Sequence, residues 1–235
     1  MITSLTNKEI KNLFKLKIKK NRDLTNEFLV FGEHLIEEAI KTNNIVKIYT
    51  TNDTLSGEHI SKEIMEKLKD TKTSFERVAV VRKPDSKPYS NKILILDDIQ
   101  DPLNMGSLIR TAAGFNFSTV IASNKSADFY NEKTIRATQG TLFYTNLIRG
   151  DLASIIADLK LKGYQIVVAD LVGNIEINAL KSFEKIALVL GNEGAGISEE
   201  IKSLSNYQVT IKTNNIESLN VGHAGAILMY EVGYE

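Results

Sequence analysis

Short strand-like runs, most of them continuously apolar, recur along the second part of this 235-residue chain. They lie at residues 93–96, 119–122, 142–147, 165–169, 186–190 and 207–211. Segments with apolar residues at helical spacing, such as residues 108–113 and 152–161, separate many of them. Strands that are apolar on both faces and alternate with helices are typical of a parallel sheet between two helical layers. We therefore predict an α/β fold with a mostly parallel sheet.

The first part of the chain shows a similar alternation and is expected to form a small α/β/α domain. The predicted strands are residues 28–31, 45–49 and 75–81, and the predicted helices are residues 7–20, 33–40 and 56–68. Residues 82–92 contain two of the three prolines and few apolar residues, which favours a linker. We divide the chain into a first domain at residues 1–85, a linker at residues 86–92 and a second domain at residues 93–235.

The composition excludes several classes of protein. The chain contains no cysteine, which rules out disulfides and thiolate metal sites and fits a reducing compartment. No ligand cluster shows metal spacing, so no metal is expected. No apolar run approaches the roughly 18 residues of a membrane-spanning helix, and no signal-peptide pattern is present. We expect a cytoplasmic protein without a membrane partner.

The net charge of zero hides an uneven distribution. Residues 1–22 carry seven Lys/Arg and one acid, Glu9, so the remaining residues carry the compensating negative charge. A basic segment on an acidic body favours an anionic partner such as nucleic acid, although a solvated lysine face is the alternative. The candidate RNA contacts are Lys8, Lys11, Lys15, Lys19 and Arg22.

Polar and glycine-rich segments follow three of the predicted strands. They contain Asn104, the loop at residues 191–196 and the turn after Ile211. In parallel sheets, ligands bind beyond the carboxyl ends of the strands, so these segments are expected to share one edge. The glycine spacing is not the dinucleotide-binding pattern, and no catalytic triad or Walker lysine is present. The residues alone predict a small-molecule or nucleotide site.

Three ordered motifs at these positions resemble those of the SpoU (TrmH-like) RNA 2′-O-ribose methyltransferases of the SPOUT superfamily. The motifs are Asp101-Pro102-x-Asn104-x-Gly106-x-x-x-Arg110-Thr111-Ala112, Leu190-Gly191-Asn192-Glu193-Gly194-x-Gly196 and Glu217-Ser218-Leu219-Asn220-Val221. Residues 133–143 are similar to the family's intermediate region, and residues 2–40 resemble its L30e-like substrate-binding domain. The resemblance implies a deep trefoil knot in the second domain.

The resemblance also implies an activity and its partners. The expected reaction is S-adenosylmethionine-dependent 2′-O-methylation of a ribose, with S-adenosylhomocysteine as the product. The expected substrate is ribosomal RNA, with tRNA as the alternative and a catalytically weakened RNA-binding protein as a further one. The family further implies a homodimer formed through the C-terminal domain. The cofactor-binding candidates are Leu190, Gly191, Gly196, Ile211 and Leu219.

The catalytic candidates implied by the motifs are Asn104, Arg110, Glu193, Ser218 and Asn220. Arg110 is expected to act on the 2′-hydroxyl proton or to hold a phosphate, with Asn104 orienting it. Glu193 has a catalytic and a structural interpretation, and Ser218 and Asn220 are also good helix-capping types. Gly106 is expected to keep the helix start open for RNA. Residues 211–216 depart from the family pattern, since they lack its Pro-Met pair and are one residue shorter.

Overall fold

The computed structural model describes residues 1–233 and contains two sheets with helices packed against them. The helices are α1 (Lys8–Lys15), α2 (Lys19–Thr25), α3 (Glu33–Lys41), α4 (Lys62–Leu68), α5 (Pro102–Gly114), α6 (Glu132–Thr138), α7 (Leu152–Leu161), α8 (Glu199–Leu204) and α9 (Val221–Gly233). The strands are β1 (Glu27–Phe31), β2 (Ile45–Thr50), β3 (Glu58–His59), β4 (Arg77–Arg82), β5 (Lys92–Leu96), β6 (Thr119–Ser123), β7 (Asn146–Gly150), β8 (Gln165–Ala169), β9 (Ile186–Leu190) and β10 (Tyr207–Val209). Two 3-10 helices, Thr141–Phe143 and Ile177–Ser182, complete the elements.

The second sheet has six strands in the order β10-β8-β9-β5-β6-β7, and all of its pairs are parallel. Side chains alternate across it, as β9 illustrates. Ile186 and Leu188 enter the cluster that includes residues of α5 and α9, whereas Ala187 and Val189 face α7 and α8. Helices therefore bury both faces, which confirms the predicted mostly parallel α/β fold.

The first sheet has four strands in the order β1-β4-β2-β3, and β4 pairs antiparallel with both β1 and β2. Residues of α1 and α4 pack against one face and residues of α3 against the other. The N-terminal α/β/α arrangement thus agrees with the expectation from the sequence.

Three predicted elements differ from those in the structure. The predicted helix at residues 7–20 is two helices, because Ile18 is extended at φ −98°. The predicted helix at residues 56–68 starts only at Lys62, where the Ser61 hydroxyl accepts from the Ile64 N–H. Residues 142–147 do not form one strand, since the Thr141–Phe143 turn precedes β7. In each case a cap or turn interrupts an apolar pattern that periodicity alone would continue.

A buried cluster joins the two sheets. Phe28 and Val30 of β1 pack with Ile135 of α6 and with Leu142 and Phe143 of the following turn. The rings of Phe28 and Phe143 lie 6.3 Å apart. The helix α6 belongs to the chain segment of the second sheet, so this contact fixes the first sheet against it.

The predicted linker at residues 86–92 is held by hydrogen bonds to the second sheet. The Lys87 N–H donates to Oδ1 of Asn146 at 3.1 Å, and Nδ2 of Asn146 donates to the Lys87 carbonyl at 2.7 Å. The Ser90 N–H donates to the Thr119 hydroxyl at 3.0 Å. These bonds make the segment part of the packed structure, whereas the domain boundaries themselves stay a prediction.

No helix within residues 1–233 is long and apolar enough to span a bilayer.

Gly106 lies at the contact between α5 and α6 and is buried. A Cβ at this position would stand 2.4 Å from the Thr134 carbonyl oxygen and 2.5 Å from the Ala137 Cβ. The expectation that Gly106 keeps the helix start open for RNA is therefore wrong. The glycine is needed because another helix backbone occupies the space that a side chain would take.

We expect Gly106→Ala to lower the free energy of unfolding by about 1–3 kcal/mol, because the added methyl group forces α6 away. Gly114→Ala is the matched control: the same helix has nothing within 4 Å of a Cβ at Gly114, so this change should be neutral or stabilising by up to about 1 kcal/mol. Urea unfolding followed by circular dichroism measures both. Equal effects of the two substitutions would contradict the packing argument.

Candidate active site

Three segments meet at the carboxyl edge of the parallel sheet. They are the β5–α5 connection, the glycine loop after β9 and the segment that leads from β10 into α9. The chain order separates them, but parallel pairing of β5 with β9 brings the first two side by side. The edge predicted from the sequence is thus the place where these motifs assemble.

Asn104 links the three segments through its side-chain amide. Its Nδ2 donates to Oε1 of Glu193 at 2.9 Å, and its Oδ1 accepts from Nδ2 of Asn220 at 3.3 Å. One amide thereby joins side chains from all three motifs. Three of the predicted catalytic residues lie in direct contact.

Glu193 is held as a carboxylate by donors around it. Besides Asn104, the backbone N–H groups of Gln100 and Asp101 point at its oxygens at 3.4 and 3.5 Å. Burial alone would raise the pKa of Glu193, but these hydrogen bonds outweigh it and hold the pKa below its ordinary value. The carboxylate is therefore an acceptor that fastens the glycine loop to the start of α5.

The glycine loop is shaped by Asn192, a residue of the second motif that was not among the predicted site residues. Its Oδ1 accepts from the N–H groups of Gly194 and Ala195, both at 2.9 Å, and its Nδ2 donates to the Asp98 carbonyl at 2.9 Å. An asparagine that follows a strand and precedes glycines is a recognised turn former, so the signal was present in the sequence. A Cβ at Gly191 would lie 2.4 Å from the backbone of Gly196, which explains the glycine there.

Asp97 also holds this loop, although it was not among the predicted site residues. One of its carboxylate oxygens accepts from the N–H and the hydroxyl of Ser198, at 2.9 and 2.8 Å. An aspartate after a buried strand was the available signal. Its partner Ser198 is more than 100 residues away in the chain, so the pairing requires the fold.

Arg110 is exposed and makes no ion pair or hydrogen bond with the residues that the structure describes. Asn104 does not contact it, contrary to the expectation that this amide orients the guanidinium. Six residues separate the two on α5, which places them about 120° apart around the helix and roughly 9 Å apart along it. Arg110 thus presents a cation that is open to an anionic ligand.

Asn220 and Ser218 differ in what they contact. The Asn220 Oδ1 accepts from the Gly222 N–H at 2.9 Å and caps α9, while its Nδ2 reaches Asn104. Ser218 is exposed, and neither a cap bond nor another side-chain hydrogen bond is found for it within residues 1–233. The capping and site interpretations therefore both apply to Asn220, and the structure does not join Ser218 to the hydrogen-bonded group.

The cofactor-binding candidates fall into two kinds. Leu190 is buried and its carbonyl already accepts from the Asp97 N–H at 2.8 Å. Ile211 and Leu219 are half-buried, and their backbone N–H and C=O groups have no hydrogen-bond partner in the described chain. Half-buried, unpaired backbone groups are what an adenine ring would use, so this part of the edge fits S-adenosylmethionine.

The remaining candidates, Gly191 and Gly196, lie in the glycine loop. Gly196 has φ +72°, a conformation that favours glycine, and Gly191 is half-buried at the end of β9.

In the turn at residues 211–216, which lacks the Pro-Met pair, the Thr213 hydroxyl donates to the Ile216 carbonyl at 2.9 Å. Asn215 supplies the positive φ, at +63°. This bond and the asparagine close the turn without the family's usual residues.

Four of the predicted RNA contacts are exposed lysines of α1 and α2, which we call the lysine row: Lys8, Lys11, Lys15 and Lys19. Arg22 does not belong to it. Arg22 is only 6% exposed to solvent. Its guanidinium donates hydrogen bonds to the carbonyls of Leu16 and Lys17 and forms an ion pair with Asp128 at 2.6 Å. The position of Arg22 corrects the expectation that it contacts RNA, because the side chain is buried and both terminal nitrogens of its guanidinium already bind the protein.

No cluster of metal-ligating side chains is found within residues 1–233.

Comparison with known proteins agrees with this arrangement. Residues 91–230 match the model of the SpoU rRNA Methylase family, and residues 7–86 match that of the MRM3-like substrate binding domain. The chain is 33% identical over 243 residues to the 23S rRNA (guanosine(2553)-2′-O)-methyltransferase RlmP of Bacillus subtilis, and the match covers 98% of each protein. The AdoMet-bound rRNA methyltransferase from Sinorhizobium meliloti superposes with a TM-score of 0.84 at 25% identity, covering 98% of this chain and 96% of that one. By sequence and by structure, this chain belongs to the SpoU rRNA methylase family.

Proposed function

We propose that this protein transfers a methyl group from S-adenosylmethionine to the 2′-oxygen of a ribose in RNA. The observation that carries the proposal is the amide of Asn104, which bonds to Glu193 and Asn220 and so joins all three motifs at one edge. The match of residues 91–230 to the SpoU family supports the same reaction.

Ribosomal RNA is the substrate that the comparisons favour. The Bacillus subtilis relative, named as a 23S rRNA 2′-O-methyltransferase, aligns along nearly the whole chain. A substrate-binding domain match at residues 7–86 accompanies it. We assign the activity to the cytoplasm, and tRNA is the alternative substrate that the experiment below compares.

In the proposed mechanism, Arg110 is the residue that meets the RNA at the reacting ribose. Its guanidinium has no protein partner within the described residues, so its planar fork is available to a phosphate beside the target nucleotide. A ribose hydroxyl is a poor nucleophile until its proton leaves, and alignment with the methyl donor contributes much of the acceleration. We assign to Arg110 the holding of this phosphate, and to a phosphate oxygen that Arg110 positions the acceptance of the 2′-hydroxyl proton, because a charged guanidinium can donate but cannot accept.

The other residues position the two substrates. Asn104, Glu193 and Asn220 fasten the glycine loop and the start of α9 to α5. The cofactor, when bound, supplies the methyl group. We assign its adenine to the unpaired backbone of Ile211 and Leu219, with Leu190, Gly191 and Gly196 forming the wall beside it; these assignments and the trefoil knot are proposals. We assign Ser218, which is exposed beside Leu219 in the chain, to contact with the RNA substrate.

We further propose that the lysine row contacts the RNA backbone. Lys8, Lys11 and Lys15 lie three and four residues apart on α1 and are all exposed, so their charges face one direction. Lys19 is also exposed, at the start of α2, but it pairs with Asp23 at 2.9 Å. Cations that lack partners or hold them weakly are the ones that phosphate can recruit.

A homodimer formed through the C-terminal domain is the assembly that we propose. Helices α5 and α9 pack together, and each carries an exposed apolar side chain: Leu103 is 56% exposed and Ile227 is 41% exposed. A second copy would cover such side chains, and closed two-fold dimers are the commonest oligomers.

We expect the wild-type protein to bind S-adenosylmethionine and to leave a 2′-O-methyl mark on bacterial ribosomal RNA but not on tRNA.

Arg110→Ala should lower the rate of methyl transfer about 100-fold or more while changing cofactor affinity less than about twofold, because Arg110 acts on the RNA. Methyl mapping and calorimetry measure the two quantities. Arg110→Lys keeps the charge and loses the fork, so it should retain part of the activity.

Absence of cofactor binding at millimolar concentration would overturn the proposed activity and favour an RNA-binding protein that has lost it. Equal loss of rate and cofactor affinity in Arg110→Ala would instead give this arginine a structural role.

The Glu193 carboxylate should make stability depend on pH. Its pKa in the folded protein lies below the ordinary value of 4.5, so its contribution is present above that value and disappears as the pH falls through the folded pKa. We expect Glu193→Gln to melt at a lower temperature than wild type at pH 7, and the difference to shrink below about pH 4. Thermal melts across this range measure it. A difference that stays constant with pH would show that charge is not involved.

The wild-type protein should elute as a dimer with twice the chain mass of 26.2 kDa. Ile227→Glu should shift it towards monomer, because a charge would be buried without a partner at the proposed interface. Leu161→Glu is the control, since this side chain is 89% exposed on α7, away from α5 and α9. Light scattering after gel filtration measures the mass. A monomeric wild-type protein would refute the dimer.

A further inference from the structure

A second basic surface lies at the amino edge of the parallel sheet. The segments that precede β5, β8 and β9 meet there and enclose an open depression of about 410 Å³. We call this surface the amino-edge patch, and its residues are Lys87, Pro88, Tyr89, Lys162, Tyr164 and Lys185.

The patch is separate from the candidate active site. Strands β5, β8 and β9 each have five residues, so the two edges of the sheet stand about 16 Å apart along them. Asn104, Glu193 and Asn220 lie at the carboxyl edge, beyond the other end of these strands. A ligand at the patch therefore cannot touch the ribose that reacts at the carboxyl edge. The charge of the patch requires an explanation separate from the active site.

Two of the three lysines in the patch have no carboxylate partner within residues 1–233. Lys162 pairs with Asp158 at 2.6 Å. Among the described residues, Nζ of Lys185 donates a hydrogen bond only to the Lys162 carbonyl, at 3.2 Å. The Lys87 ammonium makes neither an ion pair nor a hydrogen bond with the part of the chain that the structure describes. The depression therefore carries about two uncompensated positive charges.

The tyrosines hold two of these ammonium groups at fixed places. Nζ of Lys162 lies 5.0 Å from the ring centre of Tyr89, and Nζ of Lys185 lies 5.6 Å from that of Tyr164. The Tyr164 hydroxyl donates to the Ser90 carbonyl at 2.9 Å, which fixes its ring. A cation over an aromatic face is favourable, and fixing it beforehand reduces the entropy lost when an anion binds.

We propose that the amino-edge patch binds the phosphate backbone of the RNA substrate, at nucleotides distant from the one that is methylated. This inference rests on the proposed function. The depression is open and presents cations from three separate segments, which suits a chain of phosphates better than one enclosed anion. A large folded RNA can reach both edges of the sheet at once. The patch then adds affinity without selecting the base, because backbone contacts carry no sequence information.

The test compares charge reversals by filter binding to deproteinised bacterial 23S rRNA over a range of salt concentrations. We expect the double variant Lys87→Glu with Lys185→Glu to bind about tenfold more weakly at moderate salt, and its log–log salt slope to be shallower by about 1–2. Lys62→Glu with Lys72→Glu is the matched control: both lysines are exposed, unpaired within the described residues and outside the patch and the lysine row. The control should change both quantities much less, although its change in net charge is the same.

Two further variants sharpen the result. The neutral pair Lys87→Gln with Lys185→Gln should show a smaller loss in the same direction, while its affinity for S-adenosylmethionine stays at the wild-type value. Reversing Lys8, Lys11 and Lys15 should weaken RNA binding independently of the patch, since the lysine row lies on the first domain.

The inference is overturned if the patch variants bind this RNA with the affinity and the salt slope of the control. A patch that binds a protein partner instead of RNA would give this outcome. A wild-type protein that methylates this RNA while the patch variants bind normally would refute the patch alone. A wild-type protein that binds neither S-adenosylmethionine nor RNA would refute the proposed function, and the inference with it.

Discussion

Six strands pair in parallel in the second sheet, and this constraint decides which parts of the chain can meet. Parallel strands end at a common edge, so their outgoing loops lie together even when many residues separate them. The start of α5 and the glycine loop are neighbours because β5 and β9 are neighbours. The same rule gathers the incoming segments at the other edge, where the amino-edge patch forms.

At the carboxyl edge, the side chain of Asn104 converts neighbouring loops into one connected group. An amide has both a donor and an acceptor, so it can serve the Glu193 carboxylate and the Asn220 amide at the same time. Neither an aspartate nor a leucine of similar size could do both. A hydrogen bond to a charged group contributes about 1.5–3 kcal/mol, so this bond helps to hold the glycine loop against α5.

The contact between the two sheets gives the first domain a defined orientation. Phe28 and Val30 bury themselves against α6 and the turn after it, and Arg22 bonds to Asp128 across the same junction. The lysine row on α1 and α2 is thereby held in a fixed place relative to the carboxyl edge. Arg22, one of the five residues predicted to contact RNA, instead stabilises this junction from within the protein.

The sequence by itself determined the fold class and the positions of the motifs. Apolar runs and glycines are local signals of strands and turns, and the resemblance of the three motifs to the SpoU family implied the site residues Asn104, Arg110, Glu193 and Asn220. Only the tertiary structure decided which of these residues touch: Asn104 bonds to Glu193 instead of orienting Arg110, Gly106 packs against α6, and Arg22 is buried. The reason is physical. Periodicity and propensity describe a segment's own backbone, whereas burial and hydrogen-bond partners depend on segments that approach from elsewhere in the chain.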